Sequence, residues 1–153
     1  MSADESITLD HQLCFALYAA SNAMTRLYRD RLEPLGLTYP QYLVMLVLWE
    51  QARAEAGPHT VKTLGERLHL DSGTLTPMLK RMEQAGLITR SRAPEDERQV
   101  TIALTEQGRA LEAAVAAMQR DMACLLPLGL QDLARLRTEL RGLAAGLQAR
   151  TEK

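Results

Sequence analysis

Two cysteines, Cys14 and Cys124, carry the most reactive chemistry available to this 153-residue chain. Ionised, a thiol is a nucleophile; oxidised to a sulfenic acid, it can be captured by a second thiol as a disulfide. Two thiols are too few for a disulfide framework or a four-thiolate zinc site. His11, His59 and His69 are scattered without ligand spacing, so neither a metal nor another cofactor is expected. No lysine or arginine stands beside Cys14 to favour its thiolate, although Tyr18, four positions on, lies one helical turn away. From the residues alone, the ordinary reading of either cysteine is a small buried hydrophobe. A second chemistry is electrostatic. From Ser72 to Pro94, Lys80, Arg81, Arg90 and Arg92 are set against Glu83 alone, and Asp96 and Arg98 follow. The formal net charge of the whole chain is -1, which selects no partner, so a nucleic-acid surface would have to be this local patch.

The elements that would position these groups follow from the apolar pattern. Hydrophobic residues make up 46% of the chain and charged ones 24%, the composition of one soluble domain over residues 1–153. Aromatic residues are only 4%, so Leu, Met, Val and Ala must fill the core. The start, MSADESITLD, is acidic and polar, unlike a secretory signal, and the longest apolar run, Tyr42 to Trp49, is too short to span a bilayer. A cytoplasmic protein without a membrane partner is expected.

Leu9, Leu13, Leu17, Met24 and Leu27 predict one long helix over residues 8–32, ended by Pro34 and Gly36. Thr38 and Gln41 have capping-box spacing, with Pro40 in the first turn, for an almost wholly apolar helix through Trp49. The loop ARAEAGPH follows, then a short helix from Val61 to Leu68. Asp71 is placed to cap another helix with the stripe Leu75, Met78, Leu79 and Met82. Its opposite face holds Gly73, Pro77, Lys80 and Gln84, flanked by Thr74, Thr76 and Arg81, and has no acidic residue. Pro77 requires that this helix begin late or bend. Two strands, Leu87–Arg92 and Val100–Leu104, are expected around a polar loop, APEDERQ. Thr105 caps a helix running through Leu111, Val115, Met118 and Met122. The last helix repeats leucine at 133, 136, 140, 143 and 147, a heptad seam suited to a partner helix. The fold expected is mostly α with a small β-hairpin: a winged helix-turn-helix over 38–104, with 8–36 and 106–150 as dimerisation helices. Such a unit can place a helix in a major groove of double-stranded DNA and its hairpin at the neighbouring minor groove.

The segment LDSGTLTPMLKRMEQAGLITRSRAPEDERQVTIALTEQG resembles the recognition helix, wing and following helix start of MarR-type regulators. Asp96 and Arg98 match that family's D-x-R wing element, which implies that the arginine enters the minor groove and the aspartate helps to hold it. The implied DNA-binding residues are Ser72, Thr74, Thr76, Lys80, Arg81, Arg92, Asp96 and Arg98. The stretch LDHQLCFALYAASNAMTRLYRDRLEPLGLTYPQYLVMLVLWE is similar to the organic-hydroperoxide-sensing, OhrR-type branch, although ARAEAGPH departs from its tightest spacing. That resemblance implies that Cys14 is the peroxide-reactive thiol, that Tyr28 and Tyr39 hydrogen-bond to it, and that Cys124 resolves it, as in two-cysteine members. Tyr18 is expected to line the same pocket, and Leu13, Phe15 and Leu17 to suit bulky organic peroxides.

Cys14 and Tyr28 are fourteen positions apart on one expected helix, or about 21 Å along its axis. They can meet only between two antiparallel first helices, in an isologous homodimer. The expectation is therefore a dimeric, non-enzymatic repressor that releases its operator on oxidation. A MarR-type repressor answering a small phenolic ligand, with Cys14 inert, and a two-cysteine thiol peroxidase remain as alternatives.

Overall fold

The structure, a computed structural model, describes residues 7–152; the first six residues of the acidic start lie outside them. The elements in chain order are α1 (Leu13–Leu32), α2 (Tyr39–Arg53), β1 (His59–Thr60), α3 (Val61–Leu68), α4 (Ser72–Gln84), β2 (Ile88–Ala93), β3 (Asp96–Leu104), α5 (Glu106–Ala123) and α6 (Leu130–Thr151). They divide into two compact units, Met1–Ala116 and Ala117–Lys153. Among the described residues, no helix is long and apolar enough to cross a membrane.

In the first unit, α1 begins later than the apolar spacing predicts. A 3-10 turn occupies Leu9–His11, and Gln12 is extended, with φ -90° and ψ 116°. The polar side chains here bond locally instead of extending the helix: Thr8 Oγ1 lies 2.6 Å from His11 Nδ1, and Gln12 Nε2 donates to the Thr8 carbonyl at 3.2 Å. Cys14 therefore sits in the first turn of α1. At the other end, Glu33–Leu35 forms a 3-10 turn closed by Gly36 at φ 72°, a conformation that favours glycine. The Thr38–Gln41 capping box forms with both reciprocal bonds, at 3.4 and 3.1 Å. Helix α2 runs on to Arg53 and buries Tyr42, Val44, Met45, Val47, Leu48 and Trp49.

The expected loop ARAEAGPH is shortened from both sides, by the end of α2 and by β1. This two-residue strand pairs antiparallel with β3, His59 opposite Ile102 and Thr60 opposite Thr101, making a three-stranded sheet of order β1-β3-β2. Two residues are too few to show an alternating pattern, so the sequence offers no signal for it.

Helices α3 and α4 occupy the predicted positions. Asp71 accepts the Thr74 amide at 2.7 Å, and Leu75, Leu79 and Met82 are fully buried with Met78 nearly so. Burial of each such side chain contributes about 1.5–3 kcal/mol. The turn between these helices depends on Gly65, where a Cβ would lie 2.6 Å from the Leu70 carbonyl oxygen. Pro77 does not delay the helix: α4 starts at Ser72, five residues before it. The carbonyl that loses its intrahelical donor is that of Gly73, and both residues are exposed.

The polar loop expected between the strands is mostly strand. Ala93 pairs with Asp96 around a turn at residues 94–95, while Arg92 pairs with Val100, so Glu97, Arg98 and Gln99 bulge from β3. Thr105 caps α5 as expected, accepting the Gly108 amide at 3.0 Å, and its hydroxyl donates to the Gly86 carbonyl at 2.6 Å. Buried Trp49 donates Nε1–H to the Gly108 carbonyl at 2.9 Å, tying α2 to the start of α5. A Cβ at Gly108 would fall inside contact distance of the Leu87 carbonyl oxygen. Gly108→Ala is thus expected to lower unfolding stability by about 2–3 kcal/mol, read as a reduced urea midpoint at unchanged slope.

In the second unit, Met118 and Met122 of α5 are buried. Helix α6 buries none of its 22 residues. Of its predicted seam, Leu133 and Leu143 are half-buried, while Leu136, Leu140 and Leu147 are 40–53% exposed.

Candidate functional site

The outer face of α4 is built by its inner one. With Leu75, Met78, Leu79 and Met82 held in the core, helical geometry turns Ser72, Thr74, Lys80 and Arg81 outward, and all four are exposed; Thr76 is half-buried. Arg90 leaves the basic patch: its backbone amide donates to Glu83 at 2.7 Å, and its guanidinium pairs with the same carboxylate at 3.3 Å. Glu83 is thereby paired, so Lys80 and Arg81 carry the outward charge of α4, and Arg92 stands on β2 of the wing.

The wing shows how the D-x-R spacing works. The Asp96 carboxylate accepts the backbone amide of Arg98 at 3.0 Å, two residues on, and Arg92 donates to the Glu97 carbonyl at 2.9 Å. Together these bonds pin the bulge from both sides. Among the described residues the Arg98 guanidinium makes neither a hydrogen bond nor an ion pair, and the residue is exposed. Asp96 thus holds the arginine's backbone and leaves its charge free. Of the eight sequence-predicted residues on this surface, α4 brings five together and the wing carries Arg92, Asp96 and Arg98.

The thiols are both exposed, which excludes a buried hydrophobe for either one in the single chain. Around Cys14, Leu13 is 62% and Tyr18 64% exposed; Phe15 is exposed too, its ring 6.4 Å from that of Tyr18. Helix α1 buries only Leu32 of its 20 residues. Cys124 follows the last residue of α5, where its thiol donates weakly to the Arg120 carbonyl at 3.7 Å. Among the described residues, no three His, Cys, Asp or Glu side chains gather to hold a metal ion.

Tyr28 and Tyr39, expected beside the thiol, meet each other at the far end of α1, with ring centroids 5.6 Å apart and an edge-on angle of 65°. A third ring completes the cluster: Tyr42 lies 5.3 Å from Tyr28 and 6.0 Å from Tyr39. The sequence reading missed it, although its spacing of three from Tyr39 on a capped helix puts the two rings on one face. Burial, then the Tyr42 phenol through its charge and a shared hydrogen bond, pushes the Tyr28 phenol up to about 12. Burial, then Tyr28, raises Tyr39. A phenol that stays protonated remains a hydrogen-bond donor, the form that can serve a thiolate. Stability from the raised Tyr28 value is fully present below its unfolded value near 10 and is lost as pH rises through about 12. An alkaline absorbance titration is expected to show a late tyrosinate component that Tyr28→Phe removes.

The family described as transcriptional regulator SarA/Rot matches residues 26–115. An organic hydroperoxide resistance transcriptional regulator of Bacillus subtilis is 49% identical over 136 residues, 89% of this chain and 89% of that protein. Among solved structures, reduced AbfR bound to DNA resembles the chain with a TM-score of 0.76 at 35% identity, covering 97% of this chain and 98% of that one. Disulfide-formed AbfR resembles it less, with a TM-score of 0.59 at 38% identity over 92% and 96% of the two chains; AbfR comes from Staphylococcus epidermidis.

Proposed function

This chain belongs to the MarR-type family of winged-helix transcriptional regulators, on its organic-hydroperoxide-resistance side, and from that membership we propose a cytoplasmic homodimeric repressor that holds operator DNA while Cys14 is reduced and releases it when an organic hydroperoxide oxidises that thiol. Helix α4, with 13 residues and so about 20 Å long, enters the major groove through Ser72, Thr74, Thr76, Lys80 and Arg81. The wing places Arg98 in the adjacent minor groove, with Asp96 and Arg92 setting its backbone.

The observation that carries the sensing half is the exposed thiol in the first turn of a 20-residue helix that buries only Leu32. The contacts of this helix within the chain gather at the Tyr28–Leu32 end, while Leu13, Phe15, Tyr18 and Met24 stand exposed along the rest. The exposed leucines of α6 are the second such surface. Pairing two α1 helices antiparallel would cover the exposed residues of α1 and bring Cys14 of one subunit to the Tyr28 and Tyr39 end of the other. A sensing pocket made in this way is apolar around the sulfur, which favours an organic peroxide over hydrogen peroxide.

The Cys14 thiolate attacks the distal oxygen of ROOH; the O–O bond breaks, the sulfur takes that oxygen as a sulfenic acid, and the alkoxide leaves and is protonated to ROH. Sulfur loses two electrons and the peroxide gains them. The thiol of Cys124 of the partner subunit then attacks the sulfenic sulfur, forming the disulfide and releasing water. The peroxide is a signal consumed once per thiol, and a thiol reductant resets the protein.

Non-reducing electrophoresis after organic hydroperoxide tests the pair. A chain-to-chain crosslink is expected in the parent protein and is expected to vanish in Cys124→Ser, while Cys14 still oxidises to the sulfenic acid. A crosslink that persists without Cys124 would remove it from the resolving role.

A further inference from the structure

The tyrosine cluster contains one member that the sensing chemistry above does not use. Tyr42 lies on α2, is only 4% exposed, and has its ring 5.3 Å from Tyr28 and 6.0 Å from Tyr39. A phenol buried to this degree needs a partner for its hydroxyl, and Tyr28 provides it. We infer that Tyr42 is a positioning residue of the thiol site: its hydroxyl, bonded to that of Tyr28 within a ring cluster closed by Tyr39, fixes the direction in which Tyr28 offers its own hydroxyl to Cys14 of the partner subunit. The inference rests on the proposed sensing function and deepens it.

The polarity of the bond explains how this works. A phenol has one proton to donate and lone pairs that accept. In the single chain the two rings lie 5.3 Å apart, and a hydrogen bond between their hydroxyls is one cause of the raised Tyr28 phenol. A thiolate is a charged acceptor, and hydrogen bonds to it are roughly twice as strong as those between neutral groups. When it arrives, the Tyr28 proton turns to the sulfur, and the Tyr42 hydroxyl rotates to donate to the Tyr28 oxygen. The resulting chain, Tyr42 to Tyr28 to sulfur, polarises in one sense and strengthens its last bond. Tyr39 packs edge-on against Tyr28 at 65° and restricts the ring, so the only motion needed is that of two hydroxyl hydrogens.

Tyr42→Phe keeps the ring and removes the oxygen. In full-length protein, the pH profile of Cys14 alkylation by iodoacetamide is expected to move to higher pH, with the rate at neutral pH falling roughly threefold to tenfold, the worth of one ordinary hydrogen bond. The late tyrosinate component of Tyr28 is expected to move toward its ordinary position, while affinity of the reduced protein for DNA stays unchanged. A double-mutant cycle separates positioning from packing: in a Tyr28→Phe background, Tyr42→Phe is expected to change the alkylation profile no further. A packing defect would persist in that background. An unchanged or faster rate in Tyr42→Phe, or an equal loss with and without Tyr28, overturns the inference. If Tyr28→Phe itself leaves the Cys14 profile unmoved, the sensing assignment of Tyr28 fails and takes the inference with it. If Tyr28→Phe shifts the profile and Tyr42→Phe does not, the inference alone fails.

Discussion

Cys14→Ser is expected to bind operator DNA as the reduced parent does and to remain bound at hydroperoxide concentrations that free the parent completely. Serine is nearly the same size, and Cys14 is exposed in the first turn of α1, so the exchange should alter stability by no more than about 0.5 kcal/mol. The chemical change is total: an alcohol has no thiolate form near neutral pH and no sulfenic acid to form. The response should therefore be abolished rather than weakened. A gel-shift titration with organic hydroperoxide reads both halves at once, and Cys124→Ser supplies the contrast, since it keeps the primary oxidation and loses only the crosslink. Release of Cys14→Ser by peroxide would return the function to a repressor answering a small ligand with the thiol inert.

What could be read from the sequence was whatever local chemistry decides. Thr38 with Gln41, Asp71 with Thr74, and Thr105 with Gly108 are three residues apart, and each made the cap its spacing predicted. The stripe Leu75, Met78, Leu79 and Met82 alone set which face of α4 turns outward. Features that depend on distant partners stayed hidden. Gly108 is needed because of the Leu87 carbonyl, twenty-one positions back in the chain, and β1 exists only because β3 is there to pair with it. Arg90 counted as outward charge in the sequence and is withdrawn by Glu83 in the fold. The thiol site divides in the same way. Helix geometry separates Cys14 from Tyr28 without any structure, and family resemblance supplied Tyr28 and Tyr39. The exposure of both thiols required coordinates, because an apolar helix written for a partner subunit has the same pattern as one written for its own core.

The wing provides the second large effect. Arg98→Ala removes a guanidinium that makes no bond within the described chain, so folding should be nearly untouched and the loss should fall on DNA. With Arg98 in the minor groove as proposed, each arginine is worth about 1–3 kcal/mol and a dimer carries two, so affinity should drop by roughly thirtyfold or more, with the salt slope reduced by about two. The preference for A·T-rich flanks should fade with it, because a narrow, strongly negative minor groove is what attracts a guanidinium. Lys80→Ala on the exposed face of α4 should cost less. Asp96→Ala then distinguishes a placed arginine from a merely nearby charge. Deleting that carboxylate makes the wing more positive, so an electrostatic attraction alone predicts tighter binding to phosphate. It also frees the Arg98 amide now held at 3.0 Å, leaving only the Arg92–Glu97 bond to shape the bulge. If positioning is what the D-x-R spacing provides, Asp96→Ala binds more weakly than the parent despite its extra positive charge. Its defect should also shrink when Arg98 is already alanine. Fluorescence anisotropy across a salt series measures all three variants on one scale, and tighter binding by Asp96→Ala would overturn the positioning role.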